Sequence, residues 1–230
     1  MYLTRNMAEG IYRITVNGSS GTAFCVEKDS NLYFVTARHM FIPNLTKSLD
    51  ANFPKVIAQV PVEFTSYIGN PFKRVVRVFI DREVDVAVFV LDDGFEDRPF
   101  RAFSVSILNS VGVQVGSDVL LAGFPFVWQY GHEVKNPDVS WPYYLPLIRK
   151  GILSSIGSVE NPHLFLLDVH NNVGFSGCPV FWQDAAMNLH ILGIISSFYF
   201  EQIGMYSVPS NSGFAVAVCA EKALELISNI

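Results

Sequence analysis

Arg74-Val75-Val76-Arg77-Val78-Phe79-Ile80 is followed, after a short polar break, by Asp85-Val86-Ala87-Val88-Phe89. The first stretch is dense in β-branched and aromatic side chains and ends at a charged break, which reads as a strand, as does the second within Val84–Leu91. Working outward, the same kind of run recurs along the chain. Ile11–Val16, Thr22–Val26 and Leu32–Thr36 precede it. Asp118–Ala122, Arg149–Ser154, Leu164–Val169, Leu189–Ser196 and Gly213–Val218 follow it. Gly, Pro, Asn and Ser punctuate the runs. Only two segments have helical character: the turn after His39, and Cys219–Ile227, where Ala220, Ala223, Leu224 and Ile227 recur at helical spacing. Many strands and one terminal helix predict an all-β barrel or sandwich.

Composition agrees. Half of the 230 residues are hydrophobic and 16% are charged, so the chain can bury a large core. The net charge is −5 and no Lys/Arg run is present, which argues against nucleic-acid binding and against a basic membrane-surface role. The most apolar stretches, Val119–Trp128 and Ile191–Phe200, are shorter than a membrane span and contain Gly, Ser or Pro. The N-terminus lacks the pattern of a signal peptide. Three cysteines, Cys25, Cys178 and Cys219, with no CxxC pair, suggest neither a disulfide framework nor a zinc site and fit a reducing, cytoplasmic setting. Cys25 and Cys219 read as small core residues, and Cys178 as a buried strand residue or a redox-sensitive thiol. Asp92–Pro99 begins a polar connector between two β units. Tyr130–Pro146 reads as a long surface loop; the aromatics Trp128, Tyr130, Trp141, Tyr143 and Tyr144 fit a self-packed loop, and otherwise a partner surface or a lid. His132 and Glu133 lack metal-binding spacing, so no metal and no cofactor is expected.

Three segments carry residue types for nucleophilic chemistry: Gly21-Thr22-Ala23-Phe24 leading to Thr36-Ala37-Arg38-His39, then Asp85-Val86-Ala87-Val88-Phe89, then Gly174-Phe175-Ser176-Gly177-Cys178-Pro179. A serine becomes a nucleophile only beside a general base, which in turn needs an orienting carboxylate. Ser176 between two glycines, His39 after a strand, and Asp85 at the head of an apolar run fit those three needs. Asp81 reads as a strand-end residue and Asp92 as a solvated turn residue. Gly174 and Gly177 permit a tight turn, and the N–H groups of Gly174 and Ser176 suit an oxyanion hole.

In this order the segments resemble the trypsin-like peptidases of the chymotrypsin fold, most closely the bacterial stress-protease branch, here without a peptide-binding C-terminal module. Further segments similar to the family are Val115–Pro125, Lys150–Gly157, Leu192–Ser197 and Ser212–Val216, so the likeness spans nearly the whole chain. The resemblance implies a single peptidase unit over 1–230, with one six-stranded barrel over about 1–100, a second over about 111–218, and a C-terminal helix over 219–230. It implies a serine endopeptidase with the triad His39, Asp85 and Ser176 acting on a polypeptide. It places His170, Ser196, Ser197 and Gly213 around the pocket for the side chain before the scissile bond. No acidic residue sits at the matching pocket base, so a small or medium apolar side chain is expected rather than Arg or Lys. Phe175 stands where family zymogens carry an Asp, which argues against activation by N-terminal cleavage. The same features leave room for a rival reading: a latent or non-hydrolytic peptide-binding scaffold that awaits a protein activator or an oligomeric partner.

Overall fold

A computed structural model of the chain describes residues 4–42, 54–65, 71–92, 100–125, 146–157, 161–203 and 208–230. The loop expected over 130–146, with Trp128 and His132, Glu133 and the other aromatics named above, lies outside the described residues up to Leu145, as does the connector from Asp93 to Pro99. A short helix α1 (Arg5–Glu9) opens the chain, and Thr4 caps it by accepting a bond from the Met7 N–H. Seven strands follow: β1 (Ile11–Val16), β2 (Ser19–Lys28), β3 (Asn31–Thr36), β4 (Val56–Thr65), β5 (Phe72–Ile80), β6 (Ala87–Leu91) and β7 (Phe103–Ser104). The next six are β8 (Asp118–Gly123), β9 (Leu147–Ile156), β10 (Leu164–Asp168), β11 (Pro179–Gln183), β12 (Leu189–Ile203) and β13 (Val208–Cys219), before helix α2 (Glu221–Ser228).

Strands β1, β4, β5, β6, β3 and β2 pair in that order, and β1 pairs back onto β2, closing a barrel; β7 adds in parallel to β2. Strands β10, β13, β12, β11, β8 and β9 close a second barrel. The chain is therefore all-β in its architecture, with two six-stranded barrels and a C-terminal helix. Three apolar clusters follow from strand alternation. One fills the first barrel with Tyr12, Ile14, Phe34, Phe64 and Phe89, where the Phe34 and Phe89 rings stack at 5.1 Å. One fills the second with Leu121, Leu153, Leu167, Phe175, Cys178 and Val180. The third lies between them and under α2: Ile11, Phe24, Val35, Val86 and Val88 meet Leu120, Phe124, Phe181, Ile194, Ala223 and Ile227. Strand β2 is buried on both faces because one face lines its barrel and the other this interface.

The structure adds elements that the sequence reading passes over. β4 carries Pro61, mixed polar residues and a bulge at Gln59 (φ +57°), which break the strand signature. β11 was hidden by the glycine-rich turn before it. The run expected over Val84–Leu91 begins as a strand only at Ala87, so Asp85 sits in the turn leading into β6. The helix expected from Cys219 starts at Glu221.

Candidate active site

His39 lies in a single 3-10 turn, Arg38–Met40, at the end of β3. Asp85 lies in the turn between β5 and β6. The two meet twice. Asp85 Oδ2 is 2.7 Å from His39 Nδ1, and Asp85 Oδ1 accepts the His39 backbone N–H at 2.8 Å. A third bond reaches Oδ2 from the second barrel, where the Ser196 hydroxyl donates at 2.6 Å. Asp85 is 9% exposed, so these three bonds stand in for most of its lost hydration. Hydrogen bonds to an ionised group contribute roughly 1.5–3 kcal/mol each. Arg38, fully buried, donates to the Asp81 carbonyl at 2.8 Å. Burial pulls its pKa down, opposed by Asp85 and Asp81.

Ser176 is presented by two consecutive tight turns. Phe175 N–H bonds to Asn172 O at 3.1 Å with Gly174 at φ +102°, and Cys178 N–H bonds to Phe175 O at 2.8 Å with Gly177 at φ +82°. A left-handed residue in third place is the type II pattern that favours glycine. Space demands glycine as well. A Cβ at 174 would lie 2.4 Å from the Phe124 carbonyl oxygen, and one at 177 would lie 2.1 Å from Thr36 Oγ1 and 2.9 Å from Ala37 N. The serine turn thus packs directly against the strand end that carries His39. Among the described residues the N–H groups of Gly174 and Ser176 have no acceptor within the fold.

Thr22 ties the turn to both barrels. Its N–H donates to Ser176 O at 2.8 Å, its hydroxyl donates to Gly174 O at 2.8 Å and accepts from Phe124 N at 3.0 Å, and its own carbonyl accepts from Thr36 Oγ1 at 2.7 Å. Phe175 is fully buried in the second barrel's core with the Arg149 guanidinium 5.9 Å from its ring centroid. Arg149 also donates to Asn172 Oδ1 at 3.0 Å.

His39, Asp85, Ser176, Gly174, Ser196 and Ser197 line one cleft of about 420 Å³, together with Ser19, Ser20, Met40, Asn171, Asn172, Val173 and Phe198. Apart from the His39–Asp85 couple, the lining residues are uncharged. The structure does not bring His170 and Gly213 to that lining. His170 is exposed, with Nε2 3.5 Å from Asn172 Nδ2, because its side chain leaves β10's end on the outer side. Gly213 (φ +87°) bonds through its N–H to Asn211 Oδ1 and through its carbonyl to Val169 N. Three groups of the site escaped the sequence reading: the role of Ser196 as a donor to Asp85, the Thr22–Thr36 network, and Asn171, whose Nδ2 donates to Ser197 O. Nothing local marks them, since most of these contacts join residues far apart in the chain, and even Thr36 to Thr22 links two strands across 14 residues.

Cys178 is fully buried and its thiol pKa is raised well above normal by that burial, so it is not a reactive thiolate. Cys25, Cys178 and Cys219 are all free and buried. Among the described residues no group of three His, Cys, Asp or Glu side chains can hold a metal, and no helix is long and apolar enough to cross a membrane.

Comparison with known proteins agrees with this architecture. A crystal structure of the Rv3671c protease in an inactive form superposes with a TM-score of 0.57 at 14% identity, covering 97% of this chain and 89% of that one. An inactive serine-to-alanine mutant of Rv3671c from M. tuberculosis H37Rv gives a TM-score of 0.56, also at 14% identity, covering 97% of this chain and 87% of that one. At that identity the likeness is one of fold. No curated protein matches the chain. The trypsin-like peptidase domain family matches residues 21–187, a span that holds the His39–Asp85 couple and the Ser176 turn, and the chain belongs to that family.

Proposed function

We propose that the protein is a serine endopeptidase in which Ser176 attacks the peptide carbonyl, His39 is the general base and then acid, and Asp85 orients His39. The observation that carries this reading is the Asp85 carboxylate, held by three bonds in the cleft that Ser176 lines. A carboxylate only accepts, so its contact with Nδ1 requires the proton on that nitrogen and leaves the Nε2 lone pair for the serine hydroxyl. As Ser176 adds to the carbonyl, its proton passes to Nε2, and Asp85 stabilises the resulting imidazolium without taking the proton itself. The uncommitted N–H groups of Gly174 and Ser176 receive the oxyanion, each such donor being worth a factor of about 10²–10³. His39 then protonates the leaving amine, and the acyl group on Ser176 is released by water that His39 deprotonates.

For specificity, the uncharged lining of the cleft supports an apolar or neutral side chain of small to medium size next to the scissile bond. Ser196 and Ser197 belong to that wall, whereas His170 and Gly213 have a weaker claim.

The test is labelling by a fluorophosphonate, with Ser176→Ala as control. Labelling of the wild type that vanishes in the variant is the expected result. A folded wild type that resists the reagent would overturn the reading of a constitutive peptidase and favour a scaffold awaiting an activator.

A further inference from the structure

Lys222, on the first turn of α2, is 7% exposed, an uncommon place for an ammonium group. Three carboxylates surround it: Glu225 Oε2 at 3.0 Å on its own helix, and Asp81 Oδ2 at 3.7 Å and Glu83 Oε2 at 3.9 Å on the β5–β6 turn. Burial alone would lower its pKa, but the bond it donates to Glu225 and the charges of Asp81, Glu225 and Glu83 outweigh that, and the net shift is upward. Lys222 is therefore a fixed cation.

Asp81 is the organiser of the turn that ends in Asp85. Its Oδ1 accepts the N–H groups of Glu83 and Val84 at 2.8 and 3.0 Å, its N–H bonds to Val86 O at 3.0 Å, and its carbonyl receives Arg38, the residue before His39. Every polar group of Asp81 but one thus shapes either the turn carrying Asp85 or the turn carrying His39. Its remaining oxygen, Oδ2, faces Lys222. The helix itself is anchored independently, since Ala223 and Ile227 are buried in the cluster that holds Val86 and Val88. On the other side, a solvent-open cleft of about 670 Å³ lies beside the helix and the turn, lined by Arg82 and Glu83 of the turn and Glu225 and Leu226 of the helix among others. On that flank the two meet through the ion pairs of Lys222, while Val84 and Val86 of the same turn pack with Ala223 and Ile227.

We propose that Lys222 and Asp81 are positioning residues for Asp85, so that the C-terminal helix clamps the turn presenting Asp85 to His39. This rests on the His39–Asp85 couple acting as proposed above, but its structural core can be tested without turnover. The variants are Lys222→Met, which keeps the length of the stem, Asp81→Asn, which keeps the Oδ1 acceptor, and Lys222→Arg, which restores the cation. Thermal melting establishes that each is folded. Two readouts follow: the low-field proton resonance of the His39 ring by NMR, and the rate of fluorophosphonate labelling.

The expected result is a weakened His39–Asp85 bond in Lys222→Met and Asp81→Asn, seen as loss or upfield movement of the Nδ1 proton signal. Labelling should slow by about ten- to a hundredfold, as for a displacement on the order of 1 Å at the reacting groups, and Lys222→Arg should recover most of it. A folded Lys222→Met and a folded Asp81→Asn with the wild-type resonance and labelling rate would overturn the proposal. If Lys222→Met does not fold, Asp81→Asn decides by the same criterion. An unlabelled wild type would count against the peptidase reading alone, because the His39 resonance would still move or stay.

Discussion

Replacing Thr22 with Val removes one hydroxyl and nothing else of consequence to size. Two buried groups lose their partner at once: the Gly174 carbonyl, which the hydroxyl meets at 2.8 Å, and the Phe124 N–H, which it accepts at 3.0 Å. Thr22 is fully buried, so water does not replace either bond. Each orphaned backbone group costs about 1–3 kcal/mol, or about 2–6 kcal/mol for the pair. For a chain of this size that lowers the melting temperature by roughly 5–20 °C. The backbone bond from Thr22 N–H to Ser176 O survives, which confines the damage to the Asn172–Phe175 turn. With its carbonyl released, that turn no longer fixes the Gly174 N–H, and loss of one of the two proposed oxyanion donors predicts labelling by a fluorophosphonate slower by about a hundredfold. Thr22→Ser is the matched control: it keeps the oxygen, loses a methyl group at a cost near 1 kcal/mol, and retains most of the labelling. Urea unfolding read by tryptophan fluorescence, with labelling rates on the same samples, measures both effects. A Thr22→Val protein within about 0.5 kcal/mol of wild type and labelled at the wild-type rate would refute the assignment of Thr22 as the tie between the barrels.

The other expectations follow from single contacts. Ser196→Ala removes the 2.6 Å donor to Asp85, so labelling should slow; an unchanged rate would show that the bond does not act through Asp85. Gly174→Ala and Gly18→Ala both place a side chain at positive φ, but only the first drives a Cβ to 2.4 Å from backbone, while nothing lies within 4 Å of the second. Gly18→Ala should therefore cost about 1 kcal/mol, and Gly174→Ala far more together with labelling, as unfolding curves and probe assays can compare. Burial raises the Cys219 thiol to about 11. Its folded-state pKa is above the unfolded value, so it adds stability that is fully present below about pH 8.5 and is lost as pH rises toward about 11. The stability difference between wild type and Cys219→Ala should shrink over that window.

How much of this is legible in the sequence depends on the range of each interaction. Strands such as β1 and β5 are legible because alternation and β-branching act within a few residues, and α2 is legible from the spacing of Ala220, Ala223, Leu224 and Ile227. The serine turn is legible because two left-handed positions require Gly174 and Gly177 within a few residues of Ser176. β4 is not, since its stability comes from pairing with β1 and β5 and overrides the signals of Pro61 and the Gln59 bulge. Asp85 shows the divide within one residue. Its identity is readable from its place before an apolar run, yet the groups that hold it come from residues distant in the chain: His39 in the first barrel and Ser196 in the second. Asp81, which sequence alone marks as an ordinary strand end, acquires its role only when Arg38 and Lys222 arrive from opposite ends of the chain. In this two-barrel protein the candidate site lies at the seam, and a seam is built from contacts of long sequence separation. Local patterns specify which groups reach it. Which of them bond there is fixed by how the two closed sheets pack, through the apolar layer of Phe24, Val35, Leu120 and Phe181.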